Sequence, residues 1–400
     1  MKKRITAALL ALCLLLCPAA AFADEEGVEL RLDEDFEPIP VISIMDDSIP
    51  VKAAILTDRQ SGRVLFEQSA DERLSAASIT KVMTLLLVME AIEGGRISLN
   101  DQVTASELAA SMGGSQIWLE VGETMTVDEL LRAVAIASAN DASVALAEHV
   151  AGAEAVFIEM MNKRAKELGM ADTQYKNCTG LDEEGHLTTA RDVATVAREL
   201  VSHPLITEYS TIWMDSLRGG ETELVNTNKL VRFYNGATGL KTGTTSLAGS
   251  CLAATATREN LSLVAVVLGA PDSNTRFSSA RGLLDYGFAN FVSVTPPPVA
   301  DQLLPVKVLH GVADGVLPVY DAPGSFLVER EFEDSLEQRI TMAENVEAPV
   351  SRGQVLGEVE VVVNGEVLGS YSLRASIEIE EMTFSNAFGR LMGEALKMNR

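Results

Sequence analysis

The stretch ASITKVMT, residues 77–84, is the starting point for interpreting the whole chain. It opens an apolar-periodic segment, residues 78–93, which predicts a helix that ends at Gly94. Ser78 and Lys81 stand three residues apart, so both lie on one face of that helix in its first turn. A serine hydroxyl is a poor nucleophile until a base takes its proton, and a lysine is such a base only when its pKa is lowered. Taken alone the pattern is weak, since a chain of average composition contains about one S-x-x-K by chance.

Two further short patterns carry hydroxyl, amide and amine groups. The tripeptide SAN, residues 138–140, follows an apolar helix, and its hydroxyl and amide can point into one cleft. The tetrapeptide KTGT, residues 241–244, leads into a predicted strand at 248–257, where the glycine lets a ligand backbone come close. Each pattern also has an ordinary explanation, an N-cap for the first and a hairpin turn for the second. Their joint occurrence is far more specific than any one of them.

The order of the three patterns is that of a known enzyme group. S-x-x-K, then S-x-N about 60 residues later, then K-T-G about 100 residues after that, is typical of the penicillin-recognising serine enzymes. The chain resembles the serine-type D-Ala-D-Ala carboxypeptidases, which are low-molecular-mass penicillin-binding proteins of peptidase family S11, and within them the sporulation-associated type of endospore-forming bacteria. The resemblance is carried by five segments: 77–84, 111–122, 137–143, 177–192 and 240–249. The chain departs from the family pattern at Cys178, where proline is more usual, and at Ala139, where glycine is common.

The resemblance implies a role for each matching residue. Ser78 attacks the carbonyl between two D-alanines, Lys81 takes its proton, and Ser138 passes a proton to the leaving D-alanine. Asn140 holds Lys81 and the substrate amide, and Lys241 keeps the electrostatics around Ser138 favourable. The residues implied to bind substrate are Thr242, Gly243, Thr244 and Arg276. Of these, Thr242, Thr244 and Arg276 are implied to bind the terminal carboxylate. The backbone N–H groups of Ser78 and Thr244 are implied to form the oxyanion hole. For Arg276 an exposed helix position is the alternative.

The element pattern predicts two folded domains. Helical segments enclosed between strands suggest one α/β domain at 48–292, and the run TPPP at 295–298 marks a boundary. Short alternating stretches beyond it predict a small antiparallel, sandwich-like β domain at 299–380. The resemblance specifies the first domain as a penicillin-binding/β-lactamase-like transpeptidase domain, an antiparallel sheet flanked by helices with a helical subdomain. It also implies an amphipathic C-terminal helix after the β domain.

The N-terminus predicts export. Three basic residues, an apolar run and the sequence AFA form a secretory signal peptide at 1–23, followed by an acidic linker at 24–47. The exported chain acts on the cell-wall side of the cytoplasmic membrane. It keeps two cysteines, Cys178 and Cys251, and the sequence does not decide whether they pair. It also leaves open the muropeptide preferred, a vegetative or spore-cortex role, and the oligomeric state.

The C-terminal residues 382–400 predict a helix that lies on the outer face of the cytoplasmic membrane. Phe384, Phe388, Leu391 and Met392 fall on one face of it, and its charges sum to +2 from Arg390, Glu394, Lys397 and Arg400. An apolar face beside positive charge is what attachment to anionic lipid needs. The alternative is a helix that packs on the β domain.

Composition narrows the remaining partners. With 32 basic and 57 acidic residues the net charge is −25, which disfavours nucleic-acid binding. Four histidines without ligand spacing disfavour a metal site, and the implied acyl-enzyme chemistry needs no metal and no organic cofactor. The expected partners are peptidoglycan stem peptides ending in D-Ala-D-Ala and β-lactam antibiotics. Two alternatives stay open: a β-lactamase with Glu167 as deacylating base, and a non-catalytic wall-binding protein.

Overall fold

The structure, a computed structural model, describes residues 48–321 and 323–397. The predicted signal peptide at 1–23, the predicted linker at 24–47 and the last three residues of the predicted C-terminal helix lie outside the described residues. The helices of the described chain are α1 (Lys81–Glu93), α2 (Glu107–Ala110), α3 (Val127–Ala137), α4 (Asn140–Ala151), α5 (Glu154–Glu167), α6 (Ala190–Leu200), α7 (Pro204–Ser210), α8 (Leu230–Phe233), α9 (Ser273–Asn290) and α10 (Phe384–Lys397).

The strands of the first part of the described chain are β1 (Ala53–Asp58), β2 (Val64–Gln68), β3 (Gln102–Thr104), β4 (Thr124–Thr126), β5 (Met214–Leu217), β6 (Thr222–Val225), β7 (Ala237–Thr245), β8 (Gly249–Arg258) and β9 (Leu261–Ala270). Those of the second part are β10 (Phe291–Val294), β11 (Val306–Leu309), β12 (Gly315–Val316), β13 (Pro318–Val319), β14 (Phe326–Glu329), β15 (Leu336–Met342), β16 (Asn345–Glu347), β17 (Val355–Val363) and β18 (Glu366–Ala375).

A five-stranded antiparallel sheet of order β2-β1-β9-β8-β7 forms the centre of the first part. Strand β9 is apolar along most of its length because helices cover both of its faces. On one face Ile55 and Val264 join the core formed by the buried side chains of helices α1, α3, α4 and α6. On the other face Leu56 and Leu263 contact α9 at Gly287, where a larger residue would clash with them. The predicted antiparallel sheet between helices is confirmed.

Helices α3 and α4 carry the second sequence pattern at the turn between them. A capping box between Thr126 and Glu129 starts α3, in which each side chain satisfies a free N–H group of the other residue. Helix α3 ends at Ser138, whose backbone is left-handed (φ 64°, ψ 27°) and turns the chain directly into α4. A non-glycine residue in this region is strained and needs surrounding structure to hold it there. The turn therefore fixes the direction of Ser138 and Asn140.

The second part is the predicted small all-β domain. It contains a four-stranded sheet of order β13-β18-β17-β15 and a three-stranded sheet of order β12-β11-β16. The predicted antiparallel pairing is wrong for one pair of strands, since β11 and β16 pair in parallel. A two-stranded pair, β10 with β14, connects this domain to the end of α9. No helix in the described part of the chain is long and apolar enough to cross a membrane.

Candidate active site

Ser78 and Lys81 lie in adjoining elements at the start of the central helix. The predicted helix start is a 3-10 turn, Ala77–Thr80, and the α-helix begins only at Lys81. The Lys81 Nζ lies 2.9 Å from the Ser78 Oγ, 2.5 Å from the Asn140 Oδ1 and 2.7 Å from the Thr179 carbonyl oxygen. Asn140, 59 residues beyond Lys81 in the sequence, is therefore brought to the same amine as Ser78.

The surroundings of Lys81 make its amine a potential base. The side chain is fully buried, and this burial lowers the pKa of Lys81 to about 7. A neutral amine has two hydrogens and one lone pair. With the two hydrogens donated to Asn140 and Thr179, the lone pair is left for the hydroxyl of Ser78. The geometry thus allows Lys81 to accept the serine proton at neutral pH.

Ser138 lies two residues before Asn140, at the turn between α3 and α4. Within the described chain its Oγ makes no hydrogen bond, although the residue is 4 % exposed. Asn140 is fixed at both ends: its Oδ1 accepts from Lys81, and its Nδ2 donates to the Gly113 carbonyl at 2.6 Å. The Asn140 backbone N–H donates to Ser115 at 2.7 Å. Asn140 therefore links Lys81 to the loop 113–122, which we call the roof loop.

The KTGT segment forms one wall of the cleft. The segment lies inside β7, which is an edge strand of the five-stranded sheet. The prediction that it only leads into the next strand is therefore wrong. A Cβ on Gly243 would lie 2.9 Å from the Ser78 backbone nitrogen and 2.8 Å from the Ala76 oxygen, so only glycine lets β7 approach this turn. Lys241 is 1 % exposed, and burial together with the neighbouring Lys81 and Arg276 cations lowers its pKa well below the usual value.

Thr242, Thr244 and Arg276 lie along the same wall. The Arg276 Nη1 donates to the Thr244 Oγ1 at 3.0 Å and to the Gly243 carbonyl at 3.3 Å. Arg276 is 7 % exposed, and burial lowers its pKa to about 10. The exposed-helix alternative for Arg276 is therefore wrong. A guanidinium beside a hydroxyl is a suitable environment for a carboxylate.

A loop that sequence reasoning left without a role forms the floor of the cleft. We call residues 177–185 the floor loop. Besides the Thr179 carbonyl, which accepts from Lys81, it presents the Cys178 carbonyl, which accepts from the Thr84 hydroxyl at 2.7 Å. Gly180 has a φ of +86°, and a Cβ there would lie 1.9 Å from the Ala77 oxygen. The sequence signal for a role of this loop was that residues 177–192 are one of the five segments that resemble the carboxypeptidase family.

Two more buried residues support the motif residues. His186 is 5 % exposed; its Nδ1 accepts from the Lys176 N–H at 3.2 Å, so its Nε2 donates to Thr80 at 2.8 Å. Burial lowers the pKa of His186 to about 4, so the ring is neutral at neutral pH. Asp141, fully buried, accepts from the backbone N–H groups of Ile117 and Leu119 in the roof loop.

Glu167 and the two cysteines do not enter this arrangement. Glu167 is the last residue of α5, is half exposed and lies 3.7 Å from both Lys163 and Arg164. It therefore does not serve as a deacylating base in this geometry. Cys178 and Cys251 are both free and buried, which answers the question of pairing for the described structure.

Comparisons with known proteins agree with this geometry. The family model of D-alanyl-D-alanine carboxypeptidase, Peptidase S11, matches residues 41–272, and that of the penicillin-binding protein 5 C-terminal domain matches residues 299–381. The chain belongs to the D-alanyl-D-alanine carboxypeptidase family, a family of serine hydrolases.

Individual relatives share nearly the whole architecture. The chain is 38 % identical to the D-alanyl-D-alanine carboxypeptidase DacF of Bacillus subtilis, over 99 % of this chain and 100 % of the relative. It is 36 % identical to the carboxypeptidase DacC of Escherichia coli, over 86 % and 87 % of the two chains. Penicillin-binding protein 5 of Haemophilus influenzae superposes with a TM-score of 0.72 at 29 % identity, covering 84 % of this chain and 98 % of that one.

Proposed function

We propose that this protein is a serine carboxypeptidase that removes the terminal D-alanine from peptidoglycan stem peptides ending in D-Ala-D-Ala. Ser78 attacks the carbonyl between the two D-alanines, while its proton passes to Lys81. The C–N bond then breaks as Ser138 relays the proton held by Lys81 to the leaving D-alanine, and water releases the shortened peptide from Ser78. The oxyanion of each tetrahedral intermediate is bound by the backbone N–H groups of Ser78 and Thr244.

The single observation that carries the proposal is the set of contacts around Lys81. A buried amine with a pKa of about 7, 2.9 Å from the Ser78 hydroxyl and held by Asn140, is the activated nucleophile–base pair that acyl transfer requires. The wall formed by Thr244 and Arg276 supports a substrate with a carboxylate end. A wall-binding scaffold has no need of a buried, deprotonated lysine beside a serine.

Benzylpenicillin tests the nucleophile, because its β-lactam carbonyl is opened by the same attack. Intact-protein mass spectrometry of the wild-type protein should show one penicilloyl adduct that clears slowly, and Ser78→Ala should show none. Ser98→Ala, in the unrelated S-x-N pattern at 98–100, is the matched control and should be labelled like wild type. An adduct on Ser78→Ala, or no adduct on wild type, would overturn the assignment. Rapid clearance with turnover of penicillin would favour the β-lactamase alternative.

We further propose that the chain is exported through the predicted signal peptide and acts outside the cytoplasm. The basic, apolar and AFA segments of residues 1–23 support this, as does membership in a family that acts on peptidoglycan. N-terminal sequencing of protein from the extracytoplasmic fraction should begin at Asp24. Mature protein that keeps Met1 would contradict export by cleavage. A role in sporulation stays a prediction from the resemblance.

The attachment of α10 to the outer face of the membrane is also a proposal. Four of its apolar side chains are half to almost fully exposed: Phe384, Phe388, Leu391 and Met392. Such a face is too apolar to be stable in water unless something covers it. The full chain and a chain ending at Glu381 are compared by flotation with anionic liposomes, with Val367→Ser, another exposed apolar position, as control. Equal flotation of both chains would show that the helix does not anchor the protein.

A further inference from the structure

Thr227 joins the two walls of the cleft. Its backbone N–H donates to the Ile136 carbonyl at 3.1 Å, in the last turn of α3 before Ser138. Its Oγ1 accepts the hydroxyl hydrogen of Thr242, in the KTGT wall, at 2.7 Å. Thr227 itself is only partly buried, while its neighbours Asn226 and Asn228 are 3 % and 1 % exposed. Thr227 thus connects the end of α3, just before the SAN pattern, to the KTGT pattern, and its hydroxyl lies on the KTGT side.

The backbone on both sides of Thr227 is held rigidly. The Asn226 Nδ2 donates to the Ile212 carbonyl at 2.8 Å, and the Asn226 Oδ1 accepts from the Asn228 N–H at 2.9 Å. The Asn228 Oδ1 accepts in turn from the Leu230 N–H at 3.1 Å. Because these amides fix the chain one residue before and one residue after, the Thr227 hydroxyl has little freedom to move away from Thr242.

The number of hydroxyl hydrogens decides which threonine can bind a carboxylate. A threonine hydroxyl has one hydrogen, and a carboxylate can only accept. Thr242 gives its hydrogen to Thr227, so in this arrangement it has none for a carboxylate. Thr244 accepts from Arg276 and keeps its own hydrogen. Thr227 accepts from Thr242 and likewise keeps its own.

We propose that Thr227 is a substrate-binding residue that donates its hydroxyl hydrogen to the terminal carboxylate of the stem peptide. Thr244 and Arg276 contact the same carboxylate, and Thr242 is a positioning residue that orients Thr227. A hydroxyl that already accepts a hydrogen bond is a stronger donor, because hydrogen bonds in a chain polarise one another. This inference rests on the proposed carboxypeptidase function, and it changes the role that the sequence predicts for Thr242.

The test compares peptides with a free and an amidated D-Ala-D-Ala end. Thr227→Val keeps the shape and removes the hydroxyl, and Thr227→Ser is the conservative control. For the free peptide, Thr227→Val should raise KM about tenfold or more, as loss of a hydrogen bond to a charged group implies, and Thr227→Ser should restore it. For the amidated peptide the three proteins should have the same low kcat/KM. Equal losses on both peptides, or equal behaviour of Val and Ser, would overturn the inference.

A double-mutant cycle separates the positioning role of Thr242 from direct binding. If Thr242 acts only by orienting Thr227, Thr242→Val combined with Thr227→Val raises KM no further than Thr227→Val alone. Multiplying effects would show that Thr242 is itself a ligand, and the inference would fail. Complete labelling of each variant at saturating benzylpenicillin shows that the site is folded, and the alanine variant at the same position replaces any valine variant that is not labelled. A wild-type protein that neither reacts with penicillin nor releases D-alanine would instead overturn the proposed function.

Discussion

Burial makes Lys81 chemically different from a surface lysine. A protonated amine at this position loses its hydration and donates only to neutral oxygen atoms, so its proton is released near neutrality even though the Asp141 carboxylate favours the charged form. The buried His186 is already neutral far below that range. Among these two groups, therefore, Lys81 is the one whose ionisation changes around neutral pH.

The rate of acylation of Ser78 by penicillin should follow this ionisation. Only the neutral amine can take the serine proton, and because the pKa is lowered to about 7 the neutral form is lost as the pH falls through that value. We expect the rate to fall about tenfold per pH unit below about pH 7 and to level off above it. Acylation rates measured by mass spectrometry between about pH 5 and pH 9 check this expectation. Lys81→Arg, which stays protonated, should be inactive throughout; a flat wild-type profile would refute the role of Lys81.

Gly180 is a second residue that matters because of its position, since it lies against the backbone next to Ser78. Gly180→Ala places a Cβ 1.9 Å from the Ala77 oxygen, so the floor loop must move away from Ser78 and Lys81. We expect the acylation rate to fall about 100-fold, the size of effect that a displacement of about 1 Å can have on a reacting group. Gly185→Ala is the matched control: it has a similar φ of +80°, but its nearest neighbour is the flexible end of Lys176 at 3.4 Å. If Gly185→Ala slows acylation as much as Gly180→Ala does, backbone strain and not the contact with Ala77 causes the slower rate. If neither variant is slowed, the floor loop does not position Ser78 and Lys81.

At the scale of elements, the cleft is formed by parts of the chain that are far apart in sequence. The bond from Lys81 to Thr179 spans 98 residues, and that from Lys81 to Asn140 spans 59. The helices and the apolar strands could be predicted from their periodicity, since α1 and β9 bury continuous apolar surfaces. The motif residues could be predicted because their chemistry is unusual and their order is specific.

Other elements gave no local signal. Strand β7, with the sequence ATGLKTGTT, has no apolar alternation, and its pairing with β8 was hidden by its polar residues. The roles of the floor loop, His186 and Thr227 depend on hydrogen bonds to distant residues, which no periodicity reports. The choice of Glu167 as a possible deacylating base was wrong because it rested on sequence position alone. Sequence position does not show which way the last residue of a helix faces.

The roof loop depends on one carboxylate. Asp141 accepts the N–H groups of Ile117 and Leu119 and is fully buried, so Asp141→Asn leaves an amide hydrogen facing these donors. We expect the free energy of unfolding to fall by about 1–3 kcal/mol, and acylation of Ser78 to slow because the roof loop also holds Asn140. Urea unfolding and penicillin labelling measure the two effects. The control Asp272→Asn, an exposed N-cap where asparagine is an equally good acceptor, should change neither; equal losses in both variants would contradict this role.

At the scale of the whole molecule, the chain has a negative net charge, whereas the cleft contains several basic side chains. The chain carries a net charge of −25, yet the cleft gathers Lys81, Lys241 and Arg276, whose pKa values are all lowered. Arg276, whose pKa of about 10 keeps it charged at neutral pH, is thus a local positive site in an acidic protein, which suits a substrate that ends in a carboxylate. Burying these three basic side chains lowers stability, as is common for groups that serve an active site.

Arg330 is one of the polar contacts at the junction between the β domain and the catalytic part. The Arg330 guanidinium donates to the carbonyls of Phe288, Ala289 and Phe291, at the end of α9 and the start of β10. Since this side chain is half exposed, its removal in Arg330→Ala should cost only about 1 kcal/mol. That corresponds to about fivefold faster hydrogen exchange of the amides in the β10–β14 pair.

Exchange in the five-stranded sheet and acylation of Ser78 should be unchanged in Arg330→Ala, because none of the contacts that Arg330 makes lies in the cleft. Arg339→Ala is the control, since Arg339 is similarly exposed and, among the residues described, the ion pair of its side chain is with Glu337 at 3.7 Å, away from the junction. Hydrogen exchange followed by mass spectrometry of peptides from β10 and β14 gives the measurement. A uniform increase in exchange over both domains would mean that the junction and the catalytic sheet unfold together. Slower acylation would mean that the β domain influences Ser78, and either result would contradict a junction that acts locally.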